Sequence, residues 1–205
     1  MDKIVANKIP QTYLRSVIEA LKVNLKTIEF KGIKDLQIAN LVPLANVDML
    51  VIGLGCQMKV LPTEMEGTFD IAVLPCLKKL TTECCLPLAF SDLFECHRPL
   101  LTELHLNCCH IGVRRYGNDF TWDDVPNIWS NLQKLSLRCV DSSLTMRKLQ
   151  QIVPMFEHLT ELKIPSSIIR SQDDNRIADE MRDLFTLKFF PSEVNTLQHS
   201  CAATQ

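Results

Sequence analysis

The sequence has few glycines, little net charge and no long apolar run, and each shortage argues against a class of function. Only 6 of the 205 residues are glycine. The nearest candidate for a phosphate-binding loop, Gly53-Leu54-Gly55, lacks the further glycine and the lysine that such loops use. A net charge of -2 does not favour nucleic acid or an acidic membrane as a partner. No apolar stretch reaches the about 18–20 residues that a membrane span requires.

Residues 1–8 also lack the apolar core of a signal peptide. We therefore expect an intracellular protein, cytoplasmic, with the nucleus as the alternative. The 9 cysteines fit this expectation, because an odd number that includes the adjacent pairs Cys84-Cys85 and Cys108-Cys109 is poorly suited to disulfide pairing. In a reducing compartment cysteine serves as a small, frequently buried apolar residue.

Residues 101–110 contain two cysteines and two histidines, a density that raises the question of a metal site. Zinc takes about four ligands, which proteins commonly supply through Cys-x-x-Cys or Cys-x-x-x-x-Cys pairs. The sequence contains neither spacing. We predict buried structural thiols, with no metal and no cofactor; zinc binding and a redox pair are the alternatives.

A repeated apolar pattern is the strongest signal that the sequence contains. The spacing Leu-x-x-Leu-x-Leu-x-x-Cys at residues 101–109 returns five more times in related form, at intervals of 22 to 31 residues. In three of the segments upstream, apolar residues recur at i, i+3 and i+7, which predicts one face of a helix. We therefore predict that each repeated unit consists of a helix followed by a short strand. The six patterns begin at Leu25, Val47, Leu77, Leu101, Leu132 and Leu159.

These units resemble leucine-rich repeats, which are about 20–29 residues long. The resemblance covers roughly residues 10–170. It extends to the longer, irregular repeats of F-box substrate receptors, in which a cysteine often fills the turn after the strand, as Cys85 and Cys109 do here. No F-box is recognisable, and the Ile-Thr-Asp that usually follows in that subfamily is missing after every predicted strand.

The resemblance implies an α/β leucine-rich repeat solenoid of about six irregular repeats, with curved parallel strands inside and helices outside. We expect one domain over residues 1–205. It comprises an N-terminal helix at 9–24, repeats at 25–170, a C-terminal capping helix at 174–190 and a tail at 191–205.

Alternate residues of the predicted strands should point away from the core, onto an exposed sheet face. On the central strands this face alternates in charge, with Glu103 between Lys79 and Lys134. Such mixed charge suits a protein or peptide partner better than a polyanion. We predict that the partner binds through a central group in which Arg138 makes the most specific contact. The group consists of Lys79, Glu103, His105, Lys134 and Arg138.

No enzymatic activity is expected. His105 could serve as a general base for Ser136, at the matching position of the next repeat, but an orienting acid and an oxyanion hole are not evident. The resemblance implies a noncatalytic recognition module. One candidate is the substrate-binding part of an SCF-type ubiquitin ligase receptor, which would contact ligase components through a segment missing from this sequence. The alternative is the ligand-sensing repeat region of an intracellular immune-type receptor.

Overall fold

The part of the chain that the structure describes forms one sheet of eight parallel strands. The computed structural model describes residues 2–21, 24–34, 36, 46–56, 74–83, 100–106, 125–138 and 144–190. Strands adjacent in the sheet are also consecutive in sequence. They are β1 (Lys3–Asn7), β2 (Thr27–Lys31), β3 (Met49–Ile52), β4 (Lys79–Thr82), β5 (Glu103–Leu106), β6 (Lys134–Leu137), β7 (Glu161–Pro165) and β8 (Thr186–Phe190).

Strands β2 to β7 confirm the six strands expected from the sequence, since each begins two residues after the start of one apolar pattern. β1 and β8 were not predicted. They extend the sheet by one strand at each edge, where pairing with β2 and with β7 holds them in place.

The pairing register aligns the apolar residues of neighbouring strands. Leu80 of β4 pairs with Leu104 of β5, which pairs with Leu135 of β6. Because successive side chains of a strand point to opposite faces, every such row lies on one side of the sheet. Leu104 and Leu106 are 0% and 1% exposed. The expected inward direction of these residues is confirmed.

The entrance to each strand is fixed by a shared backbone acceptor. The carbonyl oxygen of Lys78, just before β4, accepts hydrogen bonds from the N–H groups of Thr102 (2.8 Å) and Glu103 (3.0 Å) at the start of β5. The Thr102 carbonyl in turn accepts from Gln133 and Lys134. The same two-donor arrangement joins each pair of neighbouring strands from β1 to β7. Consecutive strands therefore start at equivalent positions.

Helices contribute the other half of the core. The described helices are α1 (Gln11–Leu21), α2 (Val125–Ile128), α3 (Met146–Ile152) and α4 (Gln172–Arg182). Buried residues of α1, α3 and α4 belong to the same apolar cluster as the inward residues of the strands. The helices predicted upstream of β3 and β4 lie largely outside the described residues, as does the predicted tail at 191–205.

The N-terminal helix is shorter than the predicted range of 9–24. It begins at Gln11, and the Pro10 carbonyl accepts from the N–H groups of Tyr13 and Leu14. Met155 also departs from expectation. The i, i+3, i+7 spacing of Ile152, Met155 and Leu159 predicts one helix face, but α3 ends at Ile152 and is followed by a 3-10 turn containing Pro154. The tighter turn directs Met155 outward, and this residue is 48% exposed.

The predicted capping helix at 174–190 is wrong in its second half. Helix α4 begins after Ser171, whose hydroxyl accepts from the Asp174 N–H at 3.1 Å, and it ends at Arg182. Residues Thr186–Phe190 then form β8. Pairing with β7 supplies backbone hydrogen bonds to this segment, whose aromatic residues also suit a strand. Strand pairing at this edge of the sheet therefore outweighs the apolar spacing that predicted a helix here.

Candidate interaction face of the sheet

The side of the sheet opposite the core carries mostly polar residues, and we call it the polar face. Its described members follow from strand alternation and pairing register, so that they form rows running across the strands. They are Lys3, Val5, Asn7, Thr27, Glu29, Lys31, Met49, Val51, Lys79, Thr81, Glu83, Glu103, His105, Lys134, Ser136, Arg138, Glu161, Lys163, Pro165, Thr186 and Lys188.

Four of the five predicted partner-binding residues meet at the centre of this face. Lys79 of β4 and Lys134 of β6 flank Glu103 of β5 in the same row. The Lys79 Nζ lies 2.8 Å from Glu103 Oε2, and the Lys134 Nζ lies 3.0 Å from Glu103 Oε1. His105 Nε2 is 3.5 Å from Glu103 Oε2. We call these four residues the Glu103 cluster.

The two lysines keep the central carboxylate ionised. The hydrogen bond from Lys79 is the largest cause, and with the bond from Lys134 it lowers the pKa of Glu103 to about 2, against the opposing effect of partial burial. The same carboxylate raises the pKa of Lys134. Glu103 and Lys134 are therefore charged at neutral pH, and the ion pair with Lys79 completes a row of three charged groups.

His105 differs from its neighbours because it is held in the neutral form. Burial lowers its pKa, and the hydrogen bond with Glu103 only partly offsets that effect. The carboxylate beside His105 corrects the expectation that no acid would be found there. Ser136 pairs in register with His105 but is 5% exposed. Among the hydrogen bonds of the described residues, none joins the Ser136 hydroxyl to His105.

Arg138, the fifth predicted residue, lies on the same face but outside the Glu103 cluster. It follows β6, and its N–H donates to the Leu106 carbonyl at 2.9 Å, so that the strand geometry continues to this position. It lies four positions after Lys134, which corresponds to about 13 Å along the strand. The structure therefore divides the predicted site into the Glu103 cluster and Arg138, which lies further along β6.

A second ionic group, which the sequence analysis missed, lies at the β1 edge. Glu29 of β2 lies 3.1 Å from the Lys3 Nζ and 2.6 Å from the Lys31 Nζ. The hydrogen bond from Lys31, followed by that from Lys3, lowers the pKa of Glu29. Detecting this group required the pairing of Lys3 with Thr27, and hence the unpredicted strand β1.

The described residues of the polar face carry a net positive charge. Among its described residues, 7 basic side chains outnumber 4 acidic ones, whereas the chain contains 22 Lys and Arg against 24 Asp and Glu. The acidic members are Glu29, Glu83, Glu103 and Glu161, and the basic members are Lys3, Lys31, Lys79, Lys134, Arg138, Lys163 and Lys188.

The cysteine-rich segments that suggested metal binding, residues 84–97 and 107–110, lie outside the described residues. Within the described residues there is no group of three or more His, Cys, Asp or Glu side chains arranged to hold a metal ion. Cys56 is a buried free thiol, and burial raises its pKa while hydrogen bonds with the Ile33 and Gly32 backbone lower it.

No protein-family model, curated protein or solved structure matches this chain. In the part of the chain that the structure describes, no helix combines the length and the apolarity needed to cross a membrane. The interpretation of the polar face therefore rests on its own geometry and on the sequence patterns.

Proposed function

We propose that the chain is a leucine-rich repeat solenoid whose polar face binds a protein or peptide partner without catalysing a reaction. The observation that carries this proposal is the Glu103 cluster, a row of fixed charges at the centre of a partly exposed sheet face. The Lys79 and Lys134 side chains are 36% and 43% exposed. They are accessible to a partner while their ammonium groups are held by Glu103.

Two regularities support the repeat architecture. Each of the strands β2 to β7 starts at the same offset from its apolar pattern. The backbone carbonyl before each strand from β1 to β6 accepts two N–H groups from the start of the next strand. Equivalent backbone geometry at successive units is what stacked repeats produce, because each unit contacts mainly its sequence neighbours.

The arrangement of the Glu103 cluster suits binding. Ion pairs across three adjacent strands restrict long, flexible side chains before a partner arrives. Less conformational entropy is then lost when the complex forms. Energetically important contacts also tend to lie near the centre of an interface, and β4, β5 and β6 are central strands of the sheet.

The same geometry argues against catalysis at this position. A nucleophile needs a hydrogen-bonded base, and the base needs a group that orients it. Ser136 is buried, and its hydroxyl makes no hydrogen bond to His105. The carboxylate beside His105 is occupied by two ammonium groups.

Affinity purification of the tagged chain, followed by mass spectrometry, tests the proposal. The resemblance to F-box substrate receptors makes a ubiquitin-ligase substrate the first class of partner to look for. His105→Ala and Arg138→Ala should weaken binding of the captured partner and leave the thermal melt almost unchanged. Lys148→Glu, on helix α3, is the control and should bind normally.

Two results would contradict the proposal. One is normal binding by both polar-face variants together with loss of binding in Lys148→Glu, which would place the partner on the helical side. The other is a turnover reaction by the purified chain that disappears in His105→Ala while the protein stays folded.

A further inference from the structure

Lys163 and Lys188 are register partners on β7 and β8. Elsewhere along the polar face, register partners that are both charged have opposite signs, as in Lys79–Glu103, Glu103–Lys134 and Lys134–Glu161. Like charges directly across a sheet destabilise it. Two lysines at adjacent positions, about 4.8 Å apart at the backbone, therefore depart from the charge pattern of the face, although the Lys188 Nζ also lies 2.9 Å from Glu161 Oε2.

Arg138 lies next to this lysine pair. Ser136 is the register partner of Lys163, and Arg138 is two residues further along β6. The Cα atoms of Arg138 and Lys163 are thus about 8 Å apart, from the strand spacing and the rise per residue. Three cationic side chains from three neighbouring strands lie in one region, which we call the basic corner.

We propose that the basic corner binds an acidic, extended segment of a polypeptide partner. This inference rests on the proposed function, and it assigns the chemistry of the ligand and the position where it lies. An extended peptide places alternate side chains about 6.6–7 Å apart on the same side. This spacing is close to the about 8 Å between the Cα atoms of Arg138 and Lys163, so that two carboxylates of one peptide can reach both. Arg138 can bind one of them through two parallel hydrogen bonds.

The carboxylates within the face argue for a polypeptide over a regular polyanion. Glu161 lies two residues before Lys163 and accepts a hydrogen bond from the Lys188 Nζ at 2.9 Å, and Glu103 lies two strands away. A nucleic acid carries a negative charge at every nucleotide and would meet these carboxylates repeatedly. A peptide with a few acidic residues can place its charge at the basic corner and neutral residues beside Glu161 and Glu103.

Selection from a library of random short peptides on the purified full chain, at about 0.15 M salt, tests this inference. The enriched peptides should carry more Asp and Glu than Lys and Arg. Their affinity for the double variant Lys163→Glu/Lys188→Glu, measured by fluorescence anisotropy, should be lower by about tenfold or more. Arg176→Glu, on the exposed side of helix α4, makes a similar change of charge away from the face and should bind normally.

A second variant separates binding from folding. Lys163→Gln/Lys188→Gln removes the two charges without adding acidic groups, and it should keep a normal thermal melt while binding the selected peptides several times more weakly. Normal binding by this variant, with weak binding by the double glutamate variant only, would mean that the added acids repel the peptides, and would overturn the assignment.

The remaining outcomes distinguish this inference from the proposed function. Enriched peptides without acidic excess, whose binding is lost in His105→Ala, would overturn the basic corner and leave recognition by the polar face intact. Enriched peptides that bind every polar-face variant normally but fail with Lys148→Glu would overturn both. An absence of enriched peptides, or tighter binding of single-stranded RNA or phosphatidylserine vesicles through the same two lysines, would overturn the acidic-peptide assignment alone.

Discussion

The two faces of the sheet are formed by alternate residues of the same strands, yet they depend on different interactions. On β5, Leu104 is fully buried, whereas Glu103 and His105 remain about one quarter exposed. Full burial of an apolar side chain contributes about 1.5–3 kcal/mol, but an exposed ion pair contributes about 0–1 kcal/mol. Stability therefore depends mainly on the apolar face, and the polar face is available for the recognition that we propose for it.

The two edges of the sheet show a related difference on the apolar face. At the β1 edge, Ile4 and Ala6 are 8% and 0% exposed. At the β8 edge, Leu187 and Phe189 are only partly buried against the core. The Arg182 guanidinium lies 5.6 Å from the centre of the Phe189 ring. Burial, and with it the contribution to stability, therefore decreases towards β8.

The largest expected effect is that of a charge on the apolar face. Leu104→Asp removes a fully buried side chain and introduces an unpaired carboxylate, which should destabilise the protein by about 4 kcal/mol or more and unfold at least the neighbouring strands. His105→Asp places the same group on the adjacent residue but on the polar face, and it should remain folded. Circular dichroism melts of both variants measure the difference. Similar melting temperatures of the two variants would show that both faces of the sheet tolerate a charge equally well.

The edge comparison predicts unequal effects of the same substitution. Phe30→Ala, at a fully buried position on β2, should cost about 3–5 kcal/mol because it removes an aromatic ring from the core. Phe189→Ala on β8 should cost roughly half as much, since less apolar surface returns to water. Urea unfolding measures the free energy of unfolding that each variant loses. Equal losses would mean that the β8 edge is as well packed as the interior.

On the polar face, Glu103→Gln should cost about 1–2 kcal/mol at neutral pH, since solvent screens its partly exposed lysine partners. The pKa of Glu103 is about 2 in the folded protein against 4.5 ordinarily. The stabilisation is therefore fully present above pH 4.5 and is lost as the pH falls towards 2. Urea unfolding should show the difference from the unsubstituted protein shrinking over this interval. Glu157→Gln, at an exposed position, is the control. If the stability difference between Glu103→Gln and the unsubstituted protein does not change with pH, the ion-pair assignment is contradicted.

The smallest effect concerns His105. Its pKa lies below the ordinary 6.5, so the folded state binds a proton less readily than the unfolded state, and protonation disfavours folding as the pH falls through 6.5. His105→Asn should have little effect on stability at pH 8 and should gain stability relative to the unsubstituted protein as the solution is acidified. Thermal melts across this range test the sign. A relative loss on acidification would show that the Glu103 contact dominates.

The central strands and their charged row could be predicted because both depend on short-range patterns. Leu104 and Leu106 alternate with Glu103 and His105, and a period of two is sufficient to assign the residues to opposite faces. The acid beside His105 was missed for a simple reason. Glu103 and His105 are two residues apart on one strand, and the contact between them depends on side-chain directions that Lys79 and Lys134 help to determine.

The amino-acid sequence by itself determined the six inner strands, their spacing and the separation of apolar from charged residues, because burial of alternate residues is encoded locally. The tertiary structure decided the two edge strands. The helical spacing of Ile177, Met181 and Leu184 predicts no strand at Thr186–Phe190, and pairing with β7 makes this segment a strand. The tertiary structure also decided the charge contacts that depend on these edge strands. The Lys3 Nζ of β1 lies 3.1 Å from Glu29 of β2, and the Lys188 Nζ of β8 lies 2.9 Å from Glu161 of β7.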